Sequence, residues 1–262
     1  MEKTLRTAAT GLAAQQRFVE LIAHNLANVN TTAFKRVRAE FQDLLYERLR
    51  TLGSTAPQGA MESLHEVQIG SGTELVATTR SFAQGDLQPT NNPLDLAING
   101  EGFFVLRRPD GTLLYTRDGA FRLDRTGRIV SIHGYALEPE LLVPESAQQL
   151  RISRDGVVTA QFADGSEQVL GQIQLARFLN PAGLRALGEN LYAETIASGP
   201  PMLETPGTGS MGEVLQAHLE SSNVELVEEI VNLIMAQRAY ELNAKAIRTA
   251  DELLQTAVNL KS

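Results

Sequence analysis

The chain contains no cysteine, and its 23 lysines and arginines are outnumbered by 31 acidic residues. Without cysteine there is no disulfide, no thiolate nucleophile and no zinc–sulfur site, although this absence fits any cellular compartment. The net charge of −8 argues against nucleic-acid binding, which needs a basic surface to meet phosphates. No apolar run approaches the roughly 20 residues of a transmembrane helix, so no membrane insertion is expected.

The N-terminal segment lacks the apolar centre of a cleavable signal peptide, because Gln15, Gln16 and Arg17 interrupt it. This pattern fits a cytosolic protein. It fits equally well a protein that is exported by a route which reads no such signal.

Both ends of the chain carry apolar residues at heptad spacing, which predicts two terminal helices that pair, either within one chain or between copies. The C-terminal pattern starts at Leu219 and passes through Asn223. Residues 1–38 carry six basic and two acidic side chains, whereas residues 213–262 carry four basic and eight acidic ones, which favours pairing between the two helices. The predicted packing residues are Leu5, Leu12, Val19, Ile22, Leu26, Val29, Leu226, Ile230, Leu233, Tyr240, Ile247, Leu254 and Val258.

The middle of the chain has the pattern of a β domain. Short apolar runs alternate with glycine turns such as Pro109-Asp110-Gly111 and Asp164-Gly165. The fold class is therefore mixed α+β: a helix at each end of the chain and an all-β domain between them in sequence. We expect the N-terminal helix and turn over 1–45, an extended arm over 46–73, the β domain over 74–212 and the C-terminal helix over 213–262.

A polar segment follows the first helix. Its short side chains are suited to bond backbone groups left free where a helix ends, so the chain is expected to turn there. The predicted turn residues are Asn25, Asn28, Asn30, Thr31 and Thr32.

One motif matches a cofactor-binding pattern, since residues 207–212 read G-T-G-S-M-G, as in a dinucleotide fingerprint. That fingerprint needs a strand before it and a parallel βαβ unit around it, whereas here a proline-rich passage precedes it. A flexible connection into the C-terminal helix is the better interpretation. The four histidines are scattered, and nothing assembles a nucleophile, a base and an orienting group. We therefore expect no cofactor, no metal and no enzyme.

Three parts of the sequence resemble bacterial flagellar rod and hook proteins. The resemblance is carried by the N-terminal runs 8–16 and 22–36, the central stretches 84–87, 92–98, 100–104 and 115–119, and the C-terminal runs 219–230 and 237–241. The rod members are the more similar ones, because this length leaves no room for the extra outer domains of a hook protein. Two residues depart from the family pattern: His24 stands where asparagine is common, and Ala33 where glycine is usual.

This resemblance implies that the two terminal helices pair as an inner coiled coil, with the β domain outside it. It also implies a structural axial protein of the distal rod, which polymerises into a helical tube and transmits torque from motor to hook. The implied partners are copies of itself, proximal rod proteins, the hook protein or its junction, the surrounding P and L rings and the flagellar type III export apparatus. The implied location is the basal-body rod where it crosses the periplasm, after export without a cleavable signal peptide.

A different class of function also fits the residues alone, namely a soluble β-rich binding module that dimerises through its terminal helices. The two hypotheses differ in how the helices associate, since a rod protein forms open-ended tubes and a binding module forms a closed oligomer.

Overall fold

The structure, a computed structural model, describes residues 2–50 and 67–259. It divides into two compact units, and the chain passes between them more than once. The helical unit contains residues 2–27, 37–50, 67–79 and 225–259, and the β unit contains residues 28–36 and 80–224. Most of the predicted extended arm, residues 51–66, lies outside the described residues.

The helical unit contains both long helices and two short β-ladders. Its elements are α1 (Glu2–Ala27), β1 (Val37–Asp43), β2 (Tyr46–Arg50), β3 (Val67–Gly70), β4 (Thr73–Arg80) and α2 (Leu226–Asn259). Strand β1 pairs with β4, and β2 pairs with β3 in an antiparallel register that joins Tyr46 to Gly70. Strands from the two ends of the predicted arm are therefore paired with each other.

The two helices pack against each other. Gly11 faces Asn243, and a Cβ atom added to Gly11 would lie 3.0 Å from the Asn243 Nδ2 atom. The buried apolar side chains described in the two helices are small with one exception, Ile22, and the polar residues Asn25 and Glu229 are also buried, each 1% exposed. Those small residues are Ala8, Ala14, Ala236 and Ala250. Small side chains at such positions allow two packed helices to approach each other closely.

The β unit is built from short strands joined by tight turns. They are β5 (Leu87–Pro89), β6 (Leu96–Asn99), β7 (Phe103–Arg107), β8 (Leu113–Thr116), β9 (Phe121–Leu123), β10 (Ile129–Ser131), β11 (Ala136–Leu137), β12 (Ala147–Ile152), β13 (Val157–Phe162), β14 (Glu167–Gln172), β15 (Leu175–Arg177), β16 (Arg185–Gly188), β17 (Leu191–Ala193), β18 (Met202–Glu204), β19 (Glu213–Gln216) and β20 (His218–Glu220). A 3-10 turn, Pro181–Gly183, lies between β15 and β16.

A nine-stranded sheet organises this unit, in the order β16-β17-β8-β7-β11-β10-β9, with β15 also paired to β7 and β18 to β15. Strand β7 is buried on both faces. Phe104 and Leu106 join the larger apolar core, while Phe103 and Val105 join a second cluster on the other face. Three further sheets, β12-β13-β14, β19-β6 and β20-β5, complete the unit.

The observed unit boundaries differ from those expected at both sides of the β domain. Strand β4 pairs with β1 in the helical unit, and the β unit runs on to residue 224. Helix α2 begins at Leu226, so the heptad positions Leu219 and Asn223 precede it. Residues 213–220 are strands because they pair with β6 and β5, which satisfies their backbone groups and buries Val214.

The glycine run 207–212 forms a turn that leads into β19 rather than into a helix. The Gly207 N–H donates to the Gly212 carbonyl, at 3.1 Å, and the Met211 N–H donates to the Thr208 carbonyl, at 3.0 Å. These bonds correct the expectation of a flexible connection into the C-terminal helix. Across the described residues, no helix is long and apolar enough to cross a membrane.

Candidate functional site

A buried charge cluster joins three distant parts of the sequence inside the β unit. Its members are Lys35, Arg117 and Glu220. Lys35 stands two residues before β1, Arg117 directly follows β8, and Glu220 ends β20 five residues before the helical unit resumes. Lys35 and Glu220 therefore lie close in sequence to the two points, after residues 36 and 224, where the chain leaves the β unit.

Glu220 is the centre of this cluster. Its Oε1 atom lies 2.6 Å from the Lys35 Nζ atom, and both side chains are 0% exposed. The Gly85 N–H donates to the same oxygen at 2.9 Å, and Lys35 also donates to the Ala83 carbonyl at 2.8 Å. Burial lowers the pKa of the Lys35 ammonium below its ordinary 10.5, and the Glu220 carboxylate acts in the opposite direction.

Arg117 binds the other oxygen of the same carboxylate. Its Nη1 atom lies 3.2 Å from Glu220 Oε2, and its Nη2 atom donates to the Gly100 carbonyl at 2.6 Å. The guanidinium carbon lies 5.7 Å from the centre of the Phe103 ring, within the range of a cation–π contact. Two cations around one carboxylate leave one net positive charge in a buried place.

Backbone hydrogen bonds hold the same segments together around the ions. The Ala33 N–H donates to the Glu220 carbonyl at 2.8 Å, and the Ser81 N–H donates to the Arg36 carbonyl at 2.9 Å. Asn223 accepts from the Arg36 N–H at 2.7 Å and donates to the Ser81 carbonyl at 2.9 Å. The three segments 33–36, 81–85 and 220–223 are therefore cross-linked by polar contacts in one place.

Ala33 occupies a backbone conformation that favours glycine. Its φ is 55°, in the left-handed region, and the residue is fully buried. An alanine there costs roughly 1–2 kcal/mol relative to its preferred backbone regions, while its buried methyl recovers about 0.8 kcal/mol. Ala33 therefore adopts a left-handed conformation at a net cost of about 1 kcal/mol or less.

The predicted turn residues fall into two groups. Helix α1 ends at Ala27, and the turn follows it directly. Within the turn, the Thr31 hydroxyl donates to Asn28 Oδ1 at 3.1 Å, the Thr32 carbonyl accepts from Asn190, and Asn30 is exposed. Asn25 still belongs to the helix.

Asn25 acts at a distance from the turn. It is buried, its Nδ2 atom donates to the Val37 carbonyl at 2.9 Å, and its Oδ1 atom accepts from the Val37 N–H at 3.0 Å. Glu229 of α2 lies 3.5 Å from the same Nδ2 atom. Asn25 thus bonds both backbone groups of the first residue of β1 and holds the start of that strand against α1.

We expect Asn25→Ala to lower the free energy of unfolding by about 2–4 kcal/mol, because both backbone groups of Val37 would lose their partner in a buried place. Urea unfolding followed by circular dichroism measures this change. Asn30→Ala is the matched control, and it should change stability by less than about 0.5 kcal/mol since that side chain is exposed. Equal effects of the two variants would contradict this role of Asn25.

The predicted packing residues differ in how far the single chain buries them. Ile22 is fully buried, whereas Leu5, Leu12, Val19, Leu26, Leu233 and Ile247 are half-buried. Leu226, Ile230 and Tyr240 remain 48%, 41% and 43% exposed. Val29 lies beyond the end of α1, in the β unit. The side chains of Leu254 and Val258 lie outside what the structure describes.

Sequence reasoning did not find the charge cluster. Lys35 and Glu220 contribute to the opposite net charges of the two ends, and all three residues lie in family-like stretches, but neither pattern brings the three side chains together. Lys35 follows the apolar pair Ala33-Phe34, and a charge next to buried apolar residues is the signal that could have indicated a buried ion pair. The described residues contain no group of side chains that could hold a metal ion.

Three family models match the chain. One described as "Flagella basal body rod protein" matches residues 5–35. One described as "Flagellar hook protein FlgE/F/G D1 domain" matches residues 97–160, and one described as "Flagellar basal body rod FlgEFG protein C-terminal" matches residues 215–260. Lys35, Arg117 and Glu220 each fall within a different one of these ranges.

Whole-length relatives match as well. The flagellar basal-body rod protein FlgG of Borreliella burgdorferi is 47% identical over 264 residues, which cover 100% of this chain and 99% of the relative. FlgG of Bacillus subtilis is 37% identical and covers 100% of both chains. The flagellar hook protein FlgE of Salmonella typhimurium is 46% identical over 118 residues, which are 45% of this chain and 29% of that protein.

Proposed function

We infer that this chain, which belongs to the FlgG family of flagellar basal-body rod proteins, polymerises into a helical tube through its terminal helices. It is a structural protein of the flagellar basal-body rod, and it is not an enzyme. The family contains rod and hook proteins, so its neighbours in the flagellum are copies of itself and other rod or hook subunits.

The single observation that carries polymerisation is an apolar face left open on α2. The large exposed apolar residues between Leu226 and Tyr240 are Leu226, Val227, Ile230, Val231, Ile234, Met235 and Tyr240. Contiguous apolar patches of this kind mark interaction surfaces, because a monomer gains nothing from keeping them in water. Helix α1 covers one side of α2 within the chain, and the open side is free for other copies.

The proposed inner layer is a coiled coil of α1 and α2, extended laterally by the open face of α2. The predicted packing residues Leu226, Ile230 and Tyr240 belong to that face, and their exposure in one chain supports a contact between chains. Such a contact joins different surfaces of two identical subunits. Head-to-tail contacts of this kind give open helical assemblies when the rotation from one subunit to the next does not bring the chain of subunits back to the first one.

Family membership also supports a finer placement, which is part of the proposal. The proposal puts the chain in the distal rod, within the periplasm, where it transmits torque to the hook. Its neighbours there would be proximal rod proteins, the hook-side junction and the P and L rings. Export through the flagellar type III apparatus, without a cleavable signal peptide, completes the proposal.

Sedimentation velocity over a range of concentrations tests the mode of assembly. Open-ended association is expected to give species whose size keeps increasing with protein concentration. A binding module that dimerises through its helices would instead reach one limiting species. Such a plateau at the size of a dimer would overturn polymerisation.

A further inference from the structure

Methionine is the only sulfur-containing residue of this chain. The sequence has no cysteine and no tryptophan, so its five methionines are the side chains that a peroxide oxidises most readily. The structure describes three of them, Met202, Met211 and Met235. They lie in three different environments, and a reagent in solution therefore reaches each sulfur to a different extent.

Met235 of α2 is the most exposed of these three methionines, with 63% of its side chain in contact with solvent. Met202, on β18, is 37% exposed. Met211 is 6% exposed and packs in the larger apolar core of the β unit. Because a peroxide has to touch the sulfur atom to oxidise it, Met235 is the described methionine that reacts first.

Met235 stands within the open apolar face of α2. Val231, one helical turn before it, is 48% exposed, and Leu242, two turns after it, is 68% exposed. Residues at these spacings share one side of an α-helix, so the three side chains form one apolar row. Met235 is the only methionine of α2, and it therefore brings the only oxidisable sulfur to this row.

Hydrogen peroxide and a thioether react directly. The sulfur lone pair attacks one peroxide oxygen, and the S–O bond forms as the O–O bond breaks. The departing hydroxide takes up the proton of the transferred oxygen and leaves as water. The sulfur is oxidised by two electrons, and the peroxide is reduced by two. The product, methionine sulfoxide, is a polar side chain in place of an apolar one.

We propose that Met235 is an oxidation site that controls polymerisation: hydrogen peroxide converts its thioether to the sulfoxide in the unassembled chain, and the sulfoxide keeps that chain out of the polymer. This rests on the proposed function, in which the open face of α2 is the contact between copies. There the sulfoxide oxygen would be buried among apolar side chains, where an unpaired polar group is costly. Chains already in the polymer are protected, because the contact covers the sulfur.

Oxidation before and after assembly tests this protection. Dilute chain and preformed polymer are treated with the same concentration of hydrogen peroxide, and peptide mass spectrometry measures the sulfoxide at each methionine. Met235 should be more oxidised than Met202 in the dilute chain and less oxidised than Met202 in the polymer, because Met202 lies on β18, away from the helices. Equal oxidation of Met235 in the two samples would overturn the proposal.

Met235→Leu identifies the sulfur that is responsible. Leucine keeps the apolar contact, so the untreated variant should polymerise like the parent. Peroxide treatment before assembly should raise the critical concentration of the parent roughly tenfold, as one unpaired polar group in an apolar contact would. The treated variant should stay within about twofold of its untreated value. A treated variant that loses polymer like the parent would place the effect at another methionine and overturn the proposal.

Met235→Gln introduces a polar side chain at the same position without any oxidant. It should raise the critical concentration by about the same tenfold factor, and glutamine is a good helix former, so α2 should keep its helicity. Met202→Gln on β18 is the matched control and should leave polymerisation unchanged. Circular dichroism verifies the fold of both variants. Equal effects of the two glutamine variants would contradict a specific role of Met235.

The outcomes separate this site from polymerisation itself. An untreated parent that never polymerises would overturn the proposed function and this site together. A treated parent that polymerises as well as the untreated one, with the sulfoxide present at Met235, would overturn the site and leave the proposed function standing. The expected result is a treated parent that regains polymer after incubation with methionine sulfoxide reductases A and B, which reduce the two sulfoxide epimers.

Discussion

Glu220→Ala is expected to lower the free energy of unfolding of the full-length chain by about 3–5 kcal/mol, the usual cost of breaking a buried ion pair. The carboxylate faces both Lys35 and Arg117, so its removal leaves two cations together in a place that water does not reach. The Gly85 N–H loses its acceptor as well. Urea unfolding followed by circular dichroism measures the loss.

The matched control is a salt bridge on the surface of the same unit. Arg107 and Glu138 form two hydrogen bonds of 2.8 Å, but the arginine is 53% exposed. Glu138→Ala should therefore cost less than about 1 kcal/mol. If Glu220→Ala were no more harmful than this control, the charge cluster would not hold the three chain segments together.

A triple apolar variant tests whether the buried charges add net stability to the fold or only position the three chain segments. Lys35→Met, Arg117→Met and Glu220→Leu together remove every charge of the cluster, so no ion is left unpaired. Such replacements are often neutral or stabilising, because the desolvation cost of the ions disappears with them. Recovery of most of the stability lost in Glu220→Ala is the expected result, and the urea midpoint measures it.

Ile230→Asp is expected to abolish polymerisation while the chain stays folded. The side chain is 41% exposed in one chain, so the substitution should cost the monomer less than about 1 kcal/mol. In the proposed inner layer the same carboxylate would be buried without a partner, at a cost of several kcal/mol. Pelleting by ultracentrifugation measures the loss of polymer, and circular dichroism verifies the fold.

Two further variants sharpen this result. Leu12→Asp, at a half-buried position of α1, should also abolish polymerisation with the β unit still folded. Val169→Asp, on β14 of the β unit, is the control, since that side chain is 64% exposed and lies on no helix. If Ile230→Asp and Leu12→Asp both pelleted like this control, the assignment of the helical seam would be wrong.

Local features of the fold were predictable from the sequence because local residues determine them. The turn glycines Gly111, Gly127, Gly156 and Gly165 all have positive φ, as their sequence context indicated. The first helix ends where its aliphatic pattern runs into asparagines and threonines. Glycine at position 33 would have indicated a left-handed turn, and Ala33 keeps that turn in its absence.

Features that depend on distant contacts were not predictable in the same way. Lys35 and Glu220 are 185 residues apart, and no periodicity connects them. Leu219 and Asn223 fit a heptad, yet pairing of β20 with β5 delays the helix to Leu226. The heptad pattern emphasises leucines, whereas Ala14 and Ala236 are buried and the heptad leucines Leu12 and Leu233 are only half-buried. At residues 219–223 strand pairing thus overrode the local helical pattern.

Electron microscopy of the purified chain at high concentration tests the central claim most directly, because it shows the form of the assembly itself. The account predicts tubes of constant diameter and increasing length, which Ile230→Asp removes and Val169→Asp does not. Closed particles of uniform size in the parent protein would contradict it, and so would tubes that persist in Ile230→Asp.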